Sequence, residues 1–139
     1  MPSSSQYQYI DTPDAVASLA EKLSQAPWLA IDTEFLRERT YRPELCLLQI
    51  ATAESGNTVA CIDPLAVDNI DPILDVIYDA SIRKVLHAAS QDLEIFYWLR
   101  GEVPENLFDT QVAAPLLGFA EQIGSVSYTH LTLPTTPYV

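Results

Sequence analysis

A chain of 139 residues, 48% hydrophobic and 19% charged, has the size and composition of one globular domain and not of a disordered segment. Its formal net charge of −12 argues against a free-standing nucleic-acid-binding module, whose usual footprint is basic, and against an anionic membrane surface as partner. It leaves room for a protein that meets anions through bound metal ions, because clustered carboxylates need cations.

No stretch approaches the ~18–20 apolar residues of a membrane span. The N-terminus, MPSSSQYQYI, lacks the basic-then-apolar plan of a secretory signal. Cys46 and Cys61 show no metal-type spacing and are expected to be free thiols in a cytoplasmic protein. The basic residues are unevenly spread: Arg37, Arg39 and Arg42 fall close together, Arg83 and Lys84 are adjacent, and Lys22 and Arg100 stand alone.

Residues 1–6 are polar and expected to fray. Thr12-Pro13-Asp14 opens a helix, with Thr12 as its cap and Pro13 as a favourable first residue. Val16, Leu19 and Leu23 recur at helical spacing, and Pro27 closes that segment. Trp28 to Ile31 is a short apolar run, read as a buried strand leading into Asp32-Thr33-Glu34-Phe35. An arginine-rich connection closes at Pro43. Residues 44–51 (ELCLLQIA) and 58–62 (TVACI), joined across Gly56-Asn57, predict an antiparallel hairpin.

Asp63-Pro64 ends that hairpin, Ile73, Leu74 and Ile77 mark a helix, and residues 84–87 (KVLH) a further strand. Residues 91–100 follow as a helix with Gly101 near its C-cap, and Asp109 is an N-cap candidate for a last helix through Leu117. The predicted order is helix, three strands, helix, strand, helix, helix. It implies an α/β fold: a mixed sheet with an antiparallel hairpin meander and flanking helices.

From Val126 to Val139 there is no Asp, Glu, Lys or Arg. Residues 126–135 (VSYTHLTLPT) resemble the translation of a sequencing-library transposon adapter, GTC TCT TAT ACA CAT CTG ACG CTG CCG ACG. The expected division is therefore a partial domain over 1–124 and a non-native tail over 125–139.

Asp32 and Glu34 are separated by one residue at the end of a strand, and strand residues i and i+2 share a face. Two carboxylates side by side raise each other's pKa unless a cation neutralises them, and oxygen ligands suit Mg²⁺ or Mn²⁺. The spacing also allows a bland alternative, in which the segment only starts a loop. Asp92 adds a second signal. With Ile95, Phe96 and Leu99 it falls at i, i+3, i+4 and i+7, so a carboxylate sits on an otherwise apolar helix face. It can equally be a rim acid complementing the helix dipole. His87 reads as a satisfied histidine at a strand end, with a ligand role as the alternative, Asp63 as a turn residue, Glu38 and Glu94 as solvated acids, and Gln49 as a hydrogen-bonding partner within the fold, with a reach toward the site as the alternative.

WLAIDTEFLRERTYRPELCLLQIA, CIDPL and KVLHAASQDLEIFYWLRGEVPENLFDTQ together resemble the ribonuclease D family. These are 3′→5′ exonucleases on an RNase H-like fold, named for four acidic residues. The resemblance runs from about Tyr7 to Gly124, roughly the first two-thirds of such a catalytic domain. It implies that Asp32, Glu34 and Asp92 are three of the four catalytic, metal-binding carboxylates. It further implies two divalent ions, Mg²⁺ or Mn²⁺, hydrolysis of RNA from a free 3′ end, and substrates of the tRNA-precursor type. The family's third motif, a tyrosine followed four residues later by an aspartate, does not occur after Asp92. Arg37, Arg39 and Arg42 directly follow the first motif and are candidates for RNA phosphates, or alternatively for ion pairs with Glu38 and Glu44. Two other functions stay open: a related DNA-directed exonuclease, and a non-catalytic RNase H-like binding or scaffold domain.

Overall fold

The structure, a computed structural model, describes residues 7–37, 43–52 and 58–118. The Gly56-Asn57 turn, Glu38, Arg39, Arg42 and the 125–139 tail lie outside the described residues.

The first helix, α1 (Pro13–Leu23), begins as its sequence dictates: the Thr12 hydroxyl accepts from the Ala15 amide at 3.2 Å, with proline in the first turn. Val16, Leu19 and Leu23 are buried on one side. Strand β2 (Trp28–Leu36) pairs antiparallel with β3 (Glu44–Thr52), and β3 pairs antiparallel with β4 (Thr58–Ile62), which forms the expected meander. Helix α2 (Asp71–Ile77) then leads to β5 (Arg83–Leu86), parallel to β2, and helix α3 (Ser90–Arg100) follows.

Two elements go beyond the sequence reading. Strand β1 (Gln8–Ile10) adds parallel to β4, and β6 (Leu107–Asp109) adds parallel to β5 before helix α4 (Thr110–Leu116). The sheet order is β1-β4-β3-β2-β5-β6. Both additions are edge strands of 3 residues, too short for alternation to show.

One core lies on one side of the sheet. Leu29, Ile31, Leu48, Ile50, Ala60 and Ile62 face it, and α1, α2 and α3 supply Leu23, Ile77, Ile95 and Phe96. Because side chains alternate along a strand, the opposite face carries Ala30, Asp32, Gln49, Ala51, Val59 and Cys61, which line a shallow concavity of about 490 Å³. This face is uncovered among the described residues.

Phe96 anchors α3 in the core. It is 1% exposed and meets the Tyr78 ring edge-on at 6.3 Å. Phe96→Ala is expected to destabilise the fold by about 3–5 kcal/mol, through lost burial plus the residual cavity, as measured by urea unfolding. A loss below ~1 kcal/mol would mean that α3 does not rest on this core.

Candidate active site

Strand β2 runs on where β5 stops. The last parallel pair is Ala30 with Val85, whereas pairing with β3 continues to Leu36. One edge of β2 is therefore free of a strand neighbour from Ile31 onward, and this is where the first motif lies. Asp32 and Glu34 are exposed and share the uncovered face, while Thr33 between them is buried on the helix side. The register slips between Glu34 and Phe35, leaving Cys46 of β3 as the extra residue of a bulge. Bulges of this kind re-aim side chains.

Asp92 approaches that free edge from the first turn of α3. It is 6% exposed, and the inward face predicted for it is correct for Asp92, Ile95 and Phe96. Leu99 departs from the prediction at 40% exposed, bordering a groove with Pro43, Leu45 and Leu65 at the start of β3. The Thr33 hydroxyl donates to Asp92 Oδ1, and the Thr33 amide donates to the same carboxylate. Burial raises the Asp92 pKa. The Thr33 bonds oppose that shift, and the negative charges of Asp32 and Asp109 add to it.

Asp32 and Asp92 are thus close enough to repel, and Glu34 shares the face of Asp32. Among the described residues no three His, Cys, Asp or Glu side chains form a metal-holding group. Thr33 lies on the helix side of β2 and supplies Asp92 with hydrogen bonds that oppose the effect of its burial only in part. The donor chemistry still fits a hard divalent cation, because two carboxylates repelling across a strand edge attract one. The fit is of oxygen donors and charge, with Asp32 and Asp92 as its nucleus.

Helix α3 is held at both ends. At its C-terminus, Arg100 donates to the Asp75 carboxylate at 2.8 Å, and the Tyr78 hydroxyl lies 2.7 Å from the Phe96 carbonyl and 2.9 Å from that of Glu102. Burial pushes the Tyr78 pKa up to about 12. Gly101 ends the helix at φ 75°, a left-handed conformation that suits glycine. At its N-terminus α3 has no side-chain cap of its own. Asp109 supplies one from β6, accepting from the amides of Ala88 (3.0 Å) and Ala89 (2.8 Å) while also capping α4 through Gln111 (2.9 Å). Burial works to raise the Asp109 pKa, but these backbone bonds outweigh it and the net shift is downward. The capped turn contains Ala88 at φ 55°, a strained position for a residue with a Cβ, costing ~1–3 kcal/mol.

The remaining sequence candidates fall into place around this centre. His87 is satisfied: its Nδ1 lies 2.8 Å from the Thr110 hydroxyl. Asp63 accepts from the amides of Leu65 and Ala66, as a turn residue does, and also from the Tyr9 hydroxyl at 2.5 Å. Gln49 is exposed opposite Asp32, so it faces the candidate site and not the interior. Arg37 pairs with Glu94 of α3 at 2.7 Å and lies over the Phe35 ring. Glu94 is solvent-exposed, as the sequence predicts, and carries in addition an ion pair that the sequence does not announce. Sequence reasoning missed Thr33 as the partner of Asp92. The alternation that pairs Asp32 with Glu34 also sends Thr33 to the helix side, so the signal was present.

A six-stranded mixed sheet with an Asp-x-Glu strand end facing a buried helix aspartate defines the class. The family profile described as 3′-5′ exonuclease matches residues 7–133, and the chain belongs to that family. Within it, the similarity is to ribonuclease D. The chain is 46% identical over 117 residues to ribonuclease D of Jannaschia sp. (strain CCS1), covering 83% of this chain and 30% of that protein. It is 46% identical over 112 residues to ribonuclease D of Escherichia coli (strain K12), covering 81% and 29% respectively. The crystal structure of Escherichia coli RNase D superposes with a TM-score of 0.82 at 41% identity, covering 96% of this chain and 35% of that one. The fold is therefore that of the RNase D exonuclease domain. The chain spans about 30% of the length of these curated relatives.

Proposed function

We propose that this chain is the N-terminal part of the catalytic domain of a 3′→5′ exoribonuclease of ribonuclease D type. The observation that carries the reading is the approach of Asp92 to the Asp32-Thr33-Glu34 strand end, in a chain whose relatives are ribonucleases D. Asp32, Glu34 and Asp92 would hold divalent metal, Mg²⁺ or Mn²⁺. In a two-ion site such metal activates the attacking water and stabilises the leaving 3′-oxyanion.

The protein's own contribution is placement. Thr33 holds the Asp92 carboxylate at the strand edge. Glu34, exposed beside Asp32, would accept a hydrogen bond from a terminal 3′-hydroxyl. Arg37, tied to Glu94 in an exposed pair, can exchange that partner for a phosphate, with Arg39 and Arg42 beside it in sequence. The expected substrate is RNA with a free 3′ end, of tRNA-precursor type, in the cytoplasm.

The test is to sequence the uninterrupted gene past codon 124, express the complete protein and follow a 3′-labelled RNA in Mg²⁺ and in EDTA. Stepwise shortening that EDTA abolishes, with a downstream Tyr-x₃-Asp motif in the gene, supports the reading. Equal trimming of single-stranded DNA would make the protein a DNA-directed exonuclease. An intact gene without the motif, and a protein without activity, would make it a binding or scaffold domain. The family profile runs on to residue 133 and the adapter likeness begins at residue 126, so the same sequencing decides whether 125–139 is native.

A further inference from the structure

We propose that Asp109, together with Thr110, is a positioning element that sets the turn between β5 and α3 and thereby aims Asp92. The proposal rests on the reading of Asp92 as a metal ligand and extends it to residues that touch neither metal nor substrate.

The geometry is specific. Asp109 ends β6 in register with Leu86, the last residue of β5. Its two carboxylate oxygens divide the work: Oδ1 accepts from Ala88 and Gln111, and Oδ2 accepts from Ala89. Thr110 adds a second grip on the same turn. Its hydroxyl donates to the Leu86 carbonyl at 3.2 Å and, its single proton being spent there, accepts from His87 Nδ1 at 2.8 Å. Four consecutive residues, from Leu86 to Ala89, are thus bonded to two adjacent side chains at the junction of β6 and α4.

The turn needs such a grip. Ala88 sits at φ 55°, where an alanine stays only when its surroundings over-determine it. The left-handed step redirects the chain from the strand into α3, and Asp92 lies in the first helical turn beyond it. The N-terminus of α3 has no cap of its own, so the orientation of that first turn depends on Asp109. A change in the aim of the turn moves the Asp92 carboxylate relative to Thr33 and Asp32, whereas the C-terminal half of the helix is held independently by Arg100 and Tyr78.

In the complete protein, Asp109→Asn replaces one acceptor oxygen with a donor that faces backbone amides. Titration calorimetry with Mn²⁺ as the probe is expected to show binding weakened about tenfold or more, the usual consequence of disturbing the support of a metal ligand. The KM for RNA should change less than about twofold, because no substrate contact is lost. Ile77→Val, a fully buried core change on α2 with no bond to the turn, should lower thermal stability and leave Mn²⁺ affinity unchanged. Thr110→Val gives a second reading of the same kind, to be used directly if Asp109→Asn does not fold.

Unchanged Mn²⁺ affinity in a folded Asp109→Asn or Thr110→Val protein overturns the proposal while leaving the exonuclease reading intact. Equal weakening by Ile77→Val also overturns it, since the effect would then be one of general stability. If the unsubstituted complete protein binds no Mn²⁺, the exonuclease reading itself fails and this proposal falls with it.

Discussion

Replacing Asp32 by asparagine in the complete protein is expected to lower the rate of 3′-end trimming by on the order of 10⁴-fold, because groups that act as a catalytic unit lose nearly all their effect when one is removed. The fold should not suffer. Asp32 is exposed on the uncovered face of β2, so no core contact is lost, and its charge is one of those that disfavour the ionised form of buried Asp92. Removing that charge should leave thermal stability unchanged or slightly raised, the expected sign at a site where function is maintained against local repulsion. Rates on a 3′-labelled RNA with Mg²⁺ present, read beside thermal unfolding, separate the two effects. Near-normal trimming by Asp32→Asn would remove Asp32 from the site. Slow trimming accompanied by a large loss of stability would show that Asp32 holds the fold and not the chemistry.

Much of this arrangement was legible in the sequence, and the gaps have physical causes. The β2–β3–β4 meander was readable because strongly apolar runs are separated by turn signals. The helix from Thr12 was readable because its cap is a side chain with one clear partner. Edge strands β1 and β6 were not, since three residues cannot display a period and their pairing comes from β4 and β5. Leu99 was expected to face inward on helical spacing. At the end of α3 it instead lies 40% exposed, bordering a groove with Pro43, Leu45 and Leu65. The separation of roles between neighbouring residues was only half visible. Alternation put Asp32 with Glu34, and helix spacing turned Asp92 inward. That Thr33 would be the residue Asp92 meets depends on β5 ending at Leu86 while β2 continues to Leu36. Asp109 was legible as a cap for the helix it starts. Its second role, on the turn before α3, requires β6 to lie beside β5.

The 139-residue chain by itself is expected to show no ribonuclease activity, although its first two motifs are intact. Only three of the carboxylates that the family resemblance calls for occur in it, and they are not gathered into a metal-holding group among the described residues. No tyrosine followed four residues later by an aspartate occurs after Asp92 to orient the attacking water. Partial sites of this kind do not retain proportional activity, because members of a catalytic unit contribute jointly; the shortfall against the complete protein should exceed about 10⁴-fold. The face with Ala30, Ala51, Val59 and Cys61, uncovered among the described residues, adds a second expectation. An apolar surface of this kind favours self-association, so light scattering should show oligomers of the isolated chain that the complete protein does not form. Shortening of a 3′-labelled RNA in Mg²⁺ by the purified 139-residue chain, abolished by Asp92→Asn, would overturn the expectation and show that three carboxylates suffice. Activity restored on adding the native continuation of the gene, with Asp92→Asn inactive in that longer protein, is the expected companion result, because removing one member of a catalytic unit removes nearly all its effect.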